Sequence, residues 1–241
     1  MRYGLISDVH GNWEALQAVL RALEKEAVDQ ILCAGDIVGY GADPQECLVF
    51  FRTQSIPCVA GNHDWGVCGL LDLARFNPWA QTAILWTRQQ LKQPELDFLK
   101  ALPLSFQNDM MSVTHGTFDD PSRFKYLSDS TEARHAFPYL ERKLGVVGHT
   151  HIPGFYVQQG ENIRMSRGPV LHVGSEEKVI INVGSVGQPR DRDDRAAYGI
   201  YDSDEQYLEI KREPYDVESA QHRMRERGLP AFLSERIAGG M

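Results

Sequence analysis

An α/β fold of two packed sheets is predicted by three features of the chain. Short apolar runs end in Gly or Asp, a helical-period segment separates the first two runs, and the second half is rich in strands. Tyr3–Ser7, Gln30–Ala34, Ile56–Ala60 and Met111–Thr114 read as strands. Between the first two, Trp13, Leu16, Val19, Leu20, Leu23 and Ala27 recur at helical spacing behind Asn12, a good N-cap, which makes a βαβ unit. Pro44 opens a second helix through about Thr53. Pro78 opens another, carrying Trp79, Ile84, Leu85, Trp86 and Leu91, because proline at a first helical position forfeits no hydrogen bond. Glu95–Ala101 reads as a shorter helix. Gly145–Val147, Phe155–Gln158, Val170–Val173, Val179–Val183, Ala197–Tyr201 and Tyr207–Arg212 then follow one another across turns. That half therefore predicts a more antiparallel sheet packed on the first. Val217–Arg227 reads as a polar surface helix with a stripe of Val217, Ala220 and Met224.

With 241 residues and no linker of biased composition, one domain over 1–241 is expected, the segment from about 196 packing on it. No export-signal core or membrane-length apolar run is visible, so the expected location is the cytoplasm, with no membrane partner. A formal charge of −8 argues against long nucleic acid as a partner. It leaves a small phosphorylated substrate open, because bound metal ions invert the local field. Four cysteines without CxxC spacing read as reduced structural thiols.

The chemistry gathers at predicted strand ends. Asp8-Val9-His10-Gly11 ends the first strand, Gly35-Asp36 the second, and Gly61-Asn62-His63-Asp64 the third. His115-Gly116 and Gly148-His149-Thr150-His151 end two later ones. Ligands of open α/β sheets collect outside the carboxyl ends of strands, so these side chains should converge. Asp8 and His10, two residues apart in an extended segment, should face one side. Carboxylate, amide and imidazole groups without thiolate suit manganese, iron, zinc or nickel better than calcium or copper(I). Asp8, His10, Asp36, Asn62, His115, His149 and His151 are too many for one tetrahedral site and fit two metals sharing a carboxylate.

In order and spacing these motifs resemble the calcineurin-like metallophosphoesterases, and Asn182–Gly187 resembles a loop of that family's small bacterial and archaeal phosphodiesterase branch. The resemblance implies a four-layer α/β/β/α sandwich of two mixed sheets flanked by helices. It implies two divalent ions, manganese first: one on Asp8, His10 and His151, the other on Asn62, His115 and His149, with Asp36 bridging. It further implies hydrolysis of a phosphodiester or phosphomonoester by a metal-bridged hydroxide. His63 would protonate the leaving oxygen and Asp64 would orient its ring. Dinucleoside polyphosphates and phosphoproteins remain alternative substrates, and a non-catalytic metal-binding scaffold is the alternative of another class. Tyr40, Phe118, Asp119, Arg123, Phe124 and Tyr126 follow metal-bearing strand ends and are candidates for the substrate pocket. A homo-oligomer is left open.

Overall fold

The structure, a computed structural model, describes residues 1–241. β1 (Arg2–Ile6) and β2 (Gln30–Cys33) pair in parallel around α1 (Trp13–Lys25). Asn12 starts α1 by accepting the Ala15 amide at 3.1 Å. α2 (Pro44–Thr53) and α4 (Pro78–Gln90) begin on their prolines, with α3 (Asn62–Cys68) between them and α5 (Gln93–Ala101) after. Then come β3 (Ser105–Gln107), β4 (Met111–Thr114), α6 (Ser130–Ala136), β5 (Leu144–Val147), β6 (Gly154–Gln159) and β7 (Asn162–Ser166). The chain closes through β8 (Val170–His172), β9 (Glu177–Asn182), β10 (Ala196–Asp202), β11 (Tyr207–Glu213), α7 (Val217–Glu226) and α8 (Ala231–Ala238).

The two sheets run β2-β1-β10-β11-β8 and β3-β4-β5-β9-β6-β7. Each draws on both halves of the chain, which corrects the expectation of a separate second-half sheet. β10 lies antiparallel against β1, with Tyr3 opposite Tyr201, so the buried residues of β1 gain a partner on their open edge. Conversely β4, β5 and β9 are parallel. The strand expected at Ile56–Ala60 shrinks to one bridge between Cys33 and Cys58. Pro57 has no N–H to give, and the amides of Ile56 and Ala60 go to the carbonyls of Phe51 and Pro103.

Alternation along the strands sorts the layers. Ile6 and Ile200 meet Leu16, Leu23, Phe51 and Leu99 of α1, α2 and α5 on the outer face of the first sheet. Leu5, Leu32, Val146 and Ile181 fill the space between the sheets. Tyr156 and Ile180 meet Phe137 and the α6 residues Ala133 and Ala136 outside the second sheet. The order is α/β/β/α. No helix is long and apolar enough to cross a membrane. α7 and α8 fold back on Tyr40, Ala42 and the Ala80 and Ala83 face of α4 through Ala220, Met224, Leu233 and Ile237. Arg223 ties α7 down to the buried Asp43 at the start of α2.

Ile181 is 0% exposed between the sheets. Ile181→Ala is expected to lower unfolding free energy by about 2–5 kcal/mol in urea denaturation. A loss well below that range would show that the inter-sheet core does not close around this side chain.

Candidate metal centre

Strand ends deliver the polar groups. Asp8 and His10 follow β1, Asp36 follows β2, Asn62 opens α3, His115 follows β4, and His149 and His151 follow β5. The loops are coiled rather than extended: Asp8, His10, Asp36, His149 and His151 all have φ between 52° and 67°. Asp8 and His10 thus converge through left-handed turns, not through the strand alternation expected of them. Such conformations cost non-glycine residues about 1–3 kcal/mol each and persist only where the surroundings enforce them. Here the loops hold one another. The amides of Asp8, His10 and Gly187 donate to the carbonyls of Gly35, Asp36 and Asp8, and that of Gly148 donates to His115. At Gly61 a Cβ would overlap the Asp36 carboxylate, and at Gly148 it would overlap Ser7 and Asp8, so both loops can approach only as glycine.

Each central carboxylate is half satisfied. Asp8 Oδ2 accepts the His149 amide at 3.0 Å and Asp36 Oδ1 accepts the His63 amide at 2.8 Å. Asp8 Oδ1 and Asp36 Oδ2 are buried without a hydrogen-bond partner. Around them stand imidazole nitrogens. His151 Nε2 is 3.1 Å from Asp8 Oδ1 and 3.1 Å from His10 Nε2. His115 Nε2 is 3.3 Å from Asp36 Oδ2 and 3.2 Å from Asn62 Oδ1, while His10 Nε2 is 3.6 Å from Asp36 Oδ2. The Nδ1 atoms of His10, His115 and His151 lie 3.2, 2.7 and 2.6 Å from the carbonyls of Val38, Ala34 and Gln188. A carbonyl only accepts, so Nδ1 carries a proton in each of the three rings and Nε2 is the atom turned inward, a lone-pair donor to a metal once the ring is neutral. His149 is held instead by stacking on Tyr126, with centroids 4.1 Å apart.

Lone pairs of two carboxylates and several imidazoles therefore face one another, an arrangement that demands a cation. Metal–ligand bonds of about 2.0–2.2 Å put neighbouring donor atoms roughly 3 Å apart, as these are. Asp8, His10 and His151 form one group that could hold an ion; Asp36, His115 and His149 form another. Asn62 Oδ1 adjoins the second, and Asp36 lies within reach of His10 and His115 at once.

Burial would raise Asp8 and Asp36, yet the facing His151 and His115 hold both below the usual carboxylate range. Burial disfavours protonated His115, but Asp36 and Asp8 push it up to about 10. His149 and His151 are pushed down to about 3, chiefly by burial.

His63 differs from the ligands. It also lies within reach of His10 and Asp36, but its Nδ1 is buried without a partner. Its ring is wedged by Tyr40 at 4.3 Å and Phe76 at 5.2 Å. Asp64 does not orient that ring as expected. Its carboxylate accepts the amides of Asp36, Val38 and Gly61 at 2.9, 3.2 and 3.0 Å, pinning the ligand loops together. Burial, reinforced by the Asp36 charge, pushes Asp64 up to about 7.

A cleft opens over the centre, lined by Asp36, Asn62, His63, His149 and His151. Of the pocket candidates, Tyr40, Phe124 and Tyr126 line it and Phe118, Asp119 and Arg123 do not. The Phe118 ring packs under Gly145 against the α6 layer. Asp119 is spent on Thr117 and Lys125. Arg123 is exposed and its carbonyl accepts from Arg75. Sequence reasoning missed Arg75, Phe76 and Arg190 on the cleft wall. Arg190 stands three residues beyond the Asn182–Gly187 loop, which was its one available signal.

Comparison with known proteins agrees with this geometry. The sequence model of the calcineurin-like phosphoesterase superfamily domain matches residues 1–206. An uncharacterized protein of Methanocaldococcus jannaschii, MJ0912, is 38% identical over 237 residues, covering 97% of this chain and 96% of that one. The crystal structure of a metallophosphoesterase from Sphaerobacter thermophilus superposes with a TM-score of 0.87 at 40% identity, covering 100% and 99% of the two chains. Hypothetical protein PH1004 from Pyrococcus horikoshii shares the fold, with a TM-score of 0.81 at 16% identity over 100% and 98%.

Gly61→Ala, which forces the α3 loop off Asp36, is expected to weaken metal retention by at least about tenfold, the scale of lost outer-shell support. Gly168→Ala, in the loop between β7 and β8, serves as control. Metal analysis after dialysis reads the difference; equal metal in both variants would detach the loop packing from metal binding.

Proposed function

The chain belongs to the calcineurin-like phosphoesterase superfamily and is a hydrolase of phosphoric esters, and from that premise we propose that it cleaves a small phosphodiester or phosphomonoester at a site for two divalent ions. Asp8, His10 and His151 would hold one ion, Asn62, His115 and His149 the other, with Asp36 shared. The observation that carries this reading is the pair of buried, unbonded oxygens, Asp8 Oδ1 and Asp36 Oδ2, facing imidazole Nε2 atoms. When bound, such ions supply a water-derived nucleophile at neutral pH and neutralise charge on the phosphoryl oxygens. The donor set, mixed and free of thiolate, favours manganese, with iron, zinc and nickel as alternatives.

His63 is the proton donor to the leaving oxygen. It lines the cleft, it is braced by aromatic rings, and its Nδ1 is committed to no other partner. Burial holds its pKa well below the ordinary value, and Asp36 opposes that shift. A phosphate arriving beside the ring adds negative charge, which favours the protonated form at the moment it is needed. Asp64 supports the reaction indirectly by fixing the Asp36 and Gly61 amides.

His63→Ala in manganese-loaded protein is expected to lower kcat by about 10²–10⁴-fold while metal content stays near that of the parent. The loss should be larger for an alkyl leaving group than for p-nitrophenolate, which departs without a proton. Equal losses on both esters, or undiminished turnover, would remove His63 from the proton transfer.

A further inference from the structure

Arg190 is a cation that the metal centre itself does not require. It lies on the cleft wall beside His63 and His151, and Asp36 is the one carboxylate among the lining residues. Its only side-chain hydrogen-bond partner is neutral: Nη2 donates to Gln188 Oε1 at 2.8 Å. Its Nε is buried with no acceptor. The guanidinium carbon sits 5.9 Å from the centroid of the Tyr40 ring, which limits how the group can turn. A half-buried guanidinium without an acid repels the metal ions the neighbouring loops are built to hold, and leaving its N–H groups unmet carries a desolvation cost.

The loop that carries Arg190 is wired into the ligands. Gln188 is 0% exposed; its carbonyl accepts from His151 Nδ1 at 2.6 Å and its amide donates to Ser185 Oγ at 2.8 Å. Ser185 Oγ in turn donates to the Asp8 carbonyl at 2.8 Å. The Arg190 amide reaches the His151 carbonyl at 3.3 Å. Between them Pro189 restricts the backbone. Arg75, the other cation of the cleft, is exposed and already donates to the Arg123 carbonyl, so it lacks this fixed relation to the ligands.

We propose that Arg190 binds a phosphoryl oxygen of the substrate, with Gln188 as the residue that positions its guanidinium. The planar fork offers N–H donors at a spacing suited to phosphate oxygens, and a fully charged donor strengthens those bonds. The anionic substrate supplies the negative charge that the wall withholds. This assignment rests on the phosphoesterase reading above, and it names the side chain that reads the phosphate.

The test uses the full chain loaded with manganese, with inorganic phosphate as the calorimetric probe and bis(p-nitrophenyl) phosphate as the substrate. Arg190→Gln is expected to weaken phosphate binding at least about tenfold, as loss of a charge-assisted pair does. kcat/KM should fall about 100-fold, the scale of one lost transition-state donor. Metal content and thermal midpoint should stay at parental values, and Arg190→Lys should recover part of both losses. Parental phosphate affinity in an active Arg190→Gln protein would overturn the proposal and leave the hydrolase standing. Loss of metal in both variants would also overturn it, making Arg190 a support of the ligand loops. If the parent cleaves no phosphate ester while Arg190→Gln alone loses phosphate binding, the functional reading falls and the anion site stands.

Discussion

Two carboxylate oxygens with nothing to bond to, Asp8 Oδ1 and Asp36 Oδ2, set the terms for the rest of the molecule. Buried anions of this kind are tolerable only when a cation sits among them or facing groups are protonated. The fold supplies both routes. Imidazoles crowd the two oxygens, and the backbone amides of His149 and His63 secure the opposite oxygens so that the free ones aim inward. Five left-handed non-glycine residues carry the ligand loops. Their strain is sustained by the amide–carbonyl bonds among five loops and by Gly61 and Gly148, which admit neighbours at distances no Cβ allows. A site stiffened this way has its donor atoms in place before any ion arrives.

The protonation pattern follows from the same crowding. His115 stays charged to about 10 because Asp36 and Asp8 face it, whereas His149 and His151 stay neutral down to about 3 because burial outweighs those carboxylates for them. Without metal, one imidazolium therefore serves as the centre's cation. A metal held by His115 would displace that proton, so binding there would couple to proton release and weaken as pH falls. Arg190 adds positive charge at the rim, where its one side-chain hydrogen-bond partner is the neutral Gln188. The centre is thus biased toward an anionic visitor from the side where the cleft opens.

Much of this was legible in the chain. Asp8, His10, Asp36, Asn62, His115, His149 and His151 announce themselves as polar residues beside glycine at the ends of apolar runs, and the structure brings all of them together. Local signals worked where one residue decides one bond: Asn12 caps α1, and Pro44 and Pro78 open their helices. Long-range pairing was not legible. That β10 and its hairpin partner β11 join the edge of β1 depends on which apolar faces remain uncovered, a property of the assembled layers. α3 escaped notice because seven residues containing Gly66 show no helical stripe, and the helix rests on packing against Ile84 and Phe76. Loop direction was equally hidden: Tyr126 turns into the cleft while Phe118, eight residues earlier, turns under Gly145. The family resemblance implied Asp64 as the residue orienting His63, but the helical start sends its carboxylate back to the amides of its own entry loop.

The C-terminal segment gives the cleft a degree of freedom that the metal loops lack. All seven candidate ligands, His63 and Arg190 lie inside residues 1–206, the stretch that matches the superfamily domain. α7 and α8 lie outside it, yet Met224, Leu233 and Ile237 pack in one cluster with Tyr40, a cleft residue in a left-handed turn with φ of 62°. Tyr40 in turn touches His63 and underlies Arg190. A change in α7 or α8 can therefore reach His63 and Arg190 through one ring without altering any of the seven candidate ligands. Loops strained around two carboxylates leave little room for variation, because every displacement there moves a ligand atom. The packing behind Tyr40 is ordinary apolar contact and tolerates substitution that conserves volume.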